Sequence, residues 1–180
     1  MLAPSQDQGA TRSLGLLADP ARAAALIVAV VGALTIAGAW FFELVIKLKP
    51  CPMCLEQRWP YYIGVPLALA VAFAAGRKAP RMIVVGGLAI LAALMLWGAY
   101  MGVFHAGVEW KWWLGPQTCS GAGEFGGPGG LLDRLKTINI TRCDEAAWRF
   151  LGISLAGYNA LISLALAAVA LLGAKAAAKA

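Results

Sequence analysis

The chain has 180 residues, 61% of them hydrophobic and 13% charged, with a mean hydropathy of +0.72. That balance lies outside the usual range of soluble domains, so lipid must solvate much of the chain. The formal net charge of +6 then points to an anionic membrane surface as partner, not to nucleic acid.

A polar, Pro-containing tail, 1–22, precedes the first long apolar run, Ala23 to Ile46, in which Glu43 is the lone charge. Ala37-Gly38-Ala39 resembles a small-residue cleavage site, but Trp40-Phe41-Phe42-Glu43-Leu44 carries the helical pattern past it, so an uncleaved first helix is expected. After a loop at 47–59 come a second run, Pro60 to Gly76, a basic connector, and a third run, Met82 to Phe104. A long loop at 105–149 leads to the fourth run, Phe150 to Ala174, and a tail at 175–180. Each run meets or nearly meets the roughly 20 residues a helix needs to cross a bilayer, whereas barrel strands are about half as long and alternate. The expectation is an all-α membrane protein, a four-transmembrane-helix bundle with two cysteine-bearing loops.

An even number of spans puts both termini on one side with the connector Arg77-Lys78-Ala79-Pro80-Arg81, whose dense positive charge marks the cytoplasm. Lys47, Lys49, Lys111 and Arg149 lie on the other side, so charge alone decides little. Cysteine position decides more: Cys51, Cys54, Cys119 and Cys143 all fall in the two outer loops, which suits an oxidising compartment. Trp40, Trp59, Trp110, Trp112, Trp113 and Trp148 cluster at the same ends, as an interfacial belt; Trp112 and Trp113 are also candidates to line a site.

Cys51-Pro52-Met53-Cys54 carries the chemistry of the first loop. A CxxC pair closes a short, strained disulfide that exchanges easily. Pro50 stops the incoming chain, and Pro52 fits the first position of a helical turn. That turn's free N–H groups favour a thiolate at Cys54. Arg58, four residues on, shares a helical face with Cys54, although Pro60 interrupts the helix nearby. Zinc and a static disulfide are the competing readings of the motif. Zinc uses close-spaced ligand pairs, which Cys119 and Cys143 are not, so no metal is expected; a static disulfide seldom closes so small a ring.

The second loop is Gly-rich after Cys119, and Leu131 to Ile138 has the pattern of a short amphipathic helix lying on the membrane or packed on its own loop. Asp144 and Glu145 suit the N-terminus of the fourth helix. His105, the single histidine, reads either as a hydrogen-bond partner of a redox ligand or as an interfacial marker.

Taken together, Cys51-Pro-Met-Cys54 with Gln57-Arg58, Tyr100 through His105-Ala-Gly-Val-Glu109, Trp112-Trp113-Leu-Gly-Pro-Gln-Thr-Cys119, and Cys143-Asp-Glu-Ala-Ala-Trp148 before Phe150-Leu-Gly-Ile-Ser154 resemble the DsbB family of bacterial disulfide bond formation proteins. The resemblance implies an inner-membrane thiol-disulfide oxidoreductase that reoxidises a DsbA-like periplasmic thiol oxidase and passes the electrons to ubiquinone or menaquinone. By the same resemblance Cys119 forms the mixed disulfide with the partner, and Cys143 resolves it or attacks the first-loop pair. A Cys143–Cys51 bond then frees Cys54 as a thiolate facing the quinone, with Arg58 beside it and His105 near the ring. Two other functions compete: a four-span scaffold with two structural disulfides, and an outward-directed thiol reductase.

Overall fold

The computed structural model of the protein describes residues 19–116 and 142–179. Four helices long and apolar enough to cross a membrane dominate it. Helix α1 is Pro20–Leu44, capped by Asp19, whose carboxylate accepts the Ala21 N–H at 3.0 Å. A short helix, α2 (Pro52–Glu56), leads through a turn at Gln57 and Arg58 into α3 (Trp59–Gly76). Helix α4 is Arg81–Glu109 and α5 is Leu155–Lys179.

The core follows from small residues at helical spacing. Ala21, Ala24, Ala25, Val28 and Ala29 of α1 face Ala68, Val71, Ala72 and Ala75 of α3, with Leu88, Leu91, Ala92 and Met95 of α4 and Leu166, Ala167 and Ala170 of α5 completing one buried cluster. Lipid is as apolar as these side chains, so burial alone does not hold the helices together; close van der Waals approach does, and alanine and glycine permit it. Large side chains such as Ile90, Trp97 and Leu172 stay exposed on the outside, where lipid covers them.

At Gly102, α4 lies directly against the backbone of α5. A Cβ added at Gly102 would lie 2.7 Å from the Ala160 backbone nitrogen and 2.9 Å from its Cα. Backbone cannot rotate away as a side chain can. Gly102→Ala is therefore expected to destabilise the bundle by about 1–3 kcal/mol. Gly86→Ala, whose Cβ would meet nothing within 4 Å, should be neutral or gain helix stability. Unfolding midpoints of the two variants in one detergent measure the contrast.

The fold differs from expectation at two helix ends. The third helix continues past Phe104 to Glu109, and His105 within it is buried by protein side chains. The fourth apolar run does not begin as helix: β1 (Arg149–Phe150) pairs antiparallel with β2 (Ile153–Ser154). Leu151 at φ 49° and Gly152 at φ 81° make the connection a two-residue turn with both central residues left-handed, the type whose twist matches that of a hairpin. Gly152 takes that conformation freely, and α5 starts only after the hairpin.

Candidate functional site

The first loop delivers its cysteines on a helical turn, as the prolines require. Pro52 is the first residue of α2 and Cys51 its N-cap, with the Cys51 sulfur accepting the Cys54 N–H at 3.2 Å. Both are free thiols, Cys51 buried and Cys54 half-buried. The hydrogen bond with Cys54 and, after it, burial push the Cys51 thiol above the ordinary value.

Cys143 is fully buried against this pair, in a small cluster with Cys51, Met53 and Phe104, and is itself disulfide-bonded. The Cys51 and Cys143 sulfurs and a ring nitrogen of His105 all lie within 4.8 Å of one another. A metal could bridge that spacing, but a sulfur already in a disulfide is no thiolate ligand. Cys119 and the Leu131–Ile138 segment lie outside the described residues.

Beside Cys143 lies an exposed charge cluster that ties its loop to the end of α4. Lys111, just past α4, donates through Nζ to both the carboxylate and the backbone carbonyl of Asp144, and Arg142 makes two further bonds of 2.9 Å to the same carboxylate. Arg142, then Lys111, hold the Asp144 carboxyl well below the ordinary 3.8. A depressed carboxyl pKa stabilises at all pH above the ordinary value and is lost only as pH falls through the lower, folded one. The tether thus stays charged at neutral and mildly acidic pH. The expected outcome for Asp144→Asn is a several-fold slower exchange between Cys143 and Cys51, seen by rapid thiol trapping. Asp144 was expected at the start of the fourth helix; the hairpin intervenes, and its partners are cationic side chains.

On the other side of Cys54 lies a cavity of about 480 Å³. Val31, Leu34, Phe42 and Ile162 make its walls apolar, and Glu43, Cys54, Gln57, Arg58 and His105 supply polar groups at its lining. Arg58, on the turn before α3, was expected to face Cys54. Its charge acts on the Cys54 thiol, and its hydrogen-bond partner is Glu43, Nη1 to Oε2 at 2.6 Å, with the guanidinium 5.6 Å from the Trp40 ring centre. Arg58 and Cys54 share the cavity. Neither Trp112 nor Trp113 is among the lining residues; Trp113 stacks on Phe104 and donates through its indole N–H to the Phe104 carbonyl.

Residues passed over by sequence reasoning complete the site. A buried polar chain runs from Cys51 to His105 (3.6 Å), His105 to Gln57 (2.6 Å), Gln57 to Asn159 (2.7 Å), Asn159 to Tyr61 (2.8 Å) and Tyr61 to Ser163 (2.6 Å). It ties α2, α3, α4 and α5 together. Glu43 had a signal, a lone carboxylate within an apolar span. Asn159 and Ser163, one turn apart in an otherwise apolar helix, had the same kind.

A family described as "Disulfide bond formation protein DsbB" matches residues 21–173. Curated relatives named "Disulfide bond formation protein B" are similar over most of the chain. The protein of Acidovorax sp. (strain JS42) is 30% identical, covering 78% of this chain and 79% of its own. That of Polaromonas sp. (strain JS666 / ATCC BAA-500) is 28% identical, covering 73% and 77%, and that of Marinobacter nauticus 30%, covering 70% and 75%. No solved structure matches the chain.

Proposed function

The chain belongs to the DsbB family of membrane disulfide bond formation proteins, and on that premise we propose that it reoxidises a DsbA-like periplasmic thiol oxidase and passes the electrons to a membrane quinone. The observation that carries the reading is the contiguity of three groups: the Cys143 sulfur within 4.8 Å of Cys51, Cys54 on the same helical turn, and Cys54 lining an apolar cavity. Electrons can pass along that line without leaving the protein. The orientation follows the basic connector together with the gathering of the cysteines on the opposite side: cytoplasmic termini, periplasmic cysteines, and the inner membrane as the site of residence.

The partner's dithiol reduces the second-loop disulfide by way of a mixed disulfide on Cys119. The Cys143 thiolate then attacks the Cys51 sulfur of an oxidised first loop. A Cys143–Cys51 bond forms, the Cys51–Cys54 bond breaks, and Cys54 leaves with the electron pair as a thiolate. The cavity fits a quinone on three counts. Its volume is that of a small-molecule site, its walls are apolar, and a thiol and a guanidinium share its lining. When bound, a quinone supplies an acceptor for two electrons and two protons. Arg58 places a permanent positive charge where negative charge accumulates, first on Cys54. A partner already at ~−120 mV can be reoxidised only by a stronger oxidant, and a lipid-soluble one accounts for the work being done in a membrane.

Purified protein mixed with ubiquinone or menaquinone and a reduced DsbA-like oxidase should consume quinone in proportion to the disulfide made. Absence of consumption with both quinones refutes the proposal. A scaffold with two structural disulfides predicts no turnover at all, and an outward reductase predicts thiols accumulating on the partner.

A further inference from the structure

His105 lies between the two cysteine loops, and its neighbours determine which nitrogen carries the proton. Asn159 Nδ2 lies 3.5 Å from the backbone carbonyl of Gly98, and Gln57 Nε2 lies 3.3 Å from that of Met53. A backbone carbonyl only accepts, so each contact identifies the amide's NH2 end. In that orientation the Tyr61 hydroxyl donates to Asn159 Oδ1, and Asn159 Nδ2 donates to Gln57 Oε1. Gln57 Nε2 then donates to His105 Nδ1 at 2.6 Å. Reversing both amides would set oxygen against oxygen at Met53 and again at Gly98.

Nδ1 is thus an acceptor, and the proton of the neutral ring sits on Nε2. Nε2 faces the Cys51 sulfur at 3.6 Å and Glu109 Oε1 at 3.8 Å, and the ring also hydrogen-bonds to the backbone of Cys143, so its one N–H is shared between that backbone and the Cys51 sulfur. We infer that Gln57 and Asn159 are positioning residues that hold His105 as its Nε2–H tautomer, making the imidazole a hydrogen-bond donor to the sulfur of Cys51. The same tautomer has no lone pair on Nε2 to offer a metal held between Cys51 and Cys143, which metal ligation requires. It also leaves the ring unfit to act as base toward Cys51.

The purpose of this arrangement rests on the relay proposed above; the tautomer itself does not. In the exchange step Cys51 is the middle sulfur, bonding to Cys143 as its bond to Cys54 breaks, and negative charge spreads over all three. Two N–H groups aim at it, the Cys54 backbone at 3.2 Å and His105 Nε2 at 3.6 Å. Donors fixed where charge develops lower the barrier without reorganising. The groups facing the ring are Cys51, the disulfide-bonded Cys143 and Glu109, with Ser154 and Arg149 acting on Glu109.

Because the chain has one histidine, 15N-histidine labelling reports this ring alone. The full-length protein in nanodiscs should show a pyridine-type Nδ1 and a pyrrole-type Nε2. Gln57→Glu, whose carboxylate can only accept, should exchange the two. In a protein retaining Cys51 as its sole cysteine, the alkylation rate at fixed pH below the thiol pKa should fall about tenfold in His105→Phe and in Gln57→Glu, with the pH profile displaced upward. A pyrrole-type Nδ1 in the wild type overturns the inference. So does a correct tautomer with alkylation profiles that coincide in all three proteins. Neither readout involves quinone or partner, so failure of the relay reading would leave both results standing.

Discussion

Replacing Cys54 by serine is expected to cut quinone reduction by roughly a thousandfold or more, because a hydroxyl can neither leave as a stabilised anion nor carry electrons out of a disulfide. The protein should nevertheless remain chemically active up to that point. The Cys51 sulfur stays within 4.8 Å of Cys143, which is disulfide-bonded, and nothing in the substitution moves it. A thiolate on Cys51 attacks that bond, and a Cys51–Cys143 disulfide accumulates with no route onward. Peptide mapping after acid quench should recover the cross-linked pair. Quinone turnover at the wild-type rate in Cys54→Ser would mean that electrons leave by another group.

Arg58→Ala should have the second largest effect, and in two separable parts. The guanidinium is bonded to Glu43 at 2.6 Å with only 9% of its side chain exposed, so removing it strands a carboxylate inside an apolar helix. Losing one partner of this partly buried pair costs about 1–3 kcal/mol. The other part is catalytic: with no cation at the cavity, the KM for quinone should rise at least tenfold and turnover should fall with it. Glu43→Gln in the Arg58→Ala background separates the two. Thermal stability should return toward wild type while quinone kinetics stay impaired. Recovery of both together would make Arg58 a structural residue only.

The transmembrane organisation could be read from the chain because lipid imposes it locally. Runs such as Met82 to Phe104 need no distant partner to be recognised, and Pro52 announces the turn that carries Cys51 and Cys54 without reference to the rest of the fold. The site's second half could not be read this way. Gln57 and Asn159 are 102 residues apart, Cys51 and His105 54, and Arg58 and Glu43 15, on separate helices. Helical spacing relates Arg58 to Cys54 within one segment but is silent about a carboxylate on α1 that competes for the same guanidinium. The hairpin at 149–154 was hidden for a different reason: its Phe-Leu-Gly-Ile core is as apolar as the helix that follows, and only backbone signs at Leu151 and Gly152 distinguish it.

The Lys111–Asp144 tether has a consequence for leakage. Two sulfurs confined within 4.8 Å of each other experience an effective concentration on the order of molar. Small thiols and stray protein cysteines compete for Cys51 at millimolar concentration or below, a disadvantage of about a thousandfold before any orientation is counted. An ion pair worth little as a stabiliser on an exposed surface thereby acts as a filter on chemistry. It gives one internal partner priority over every thiol that diffuses past.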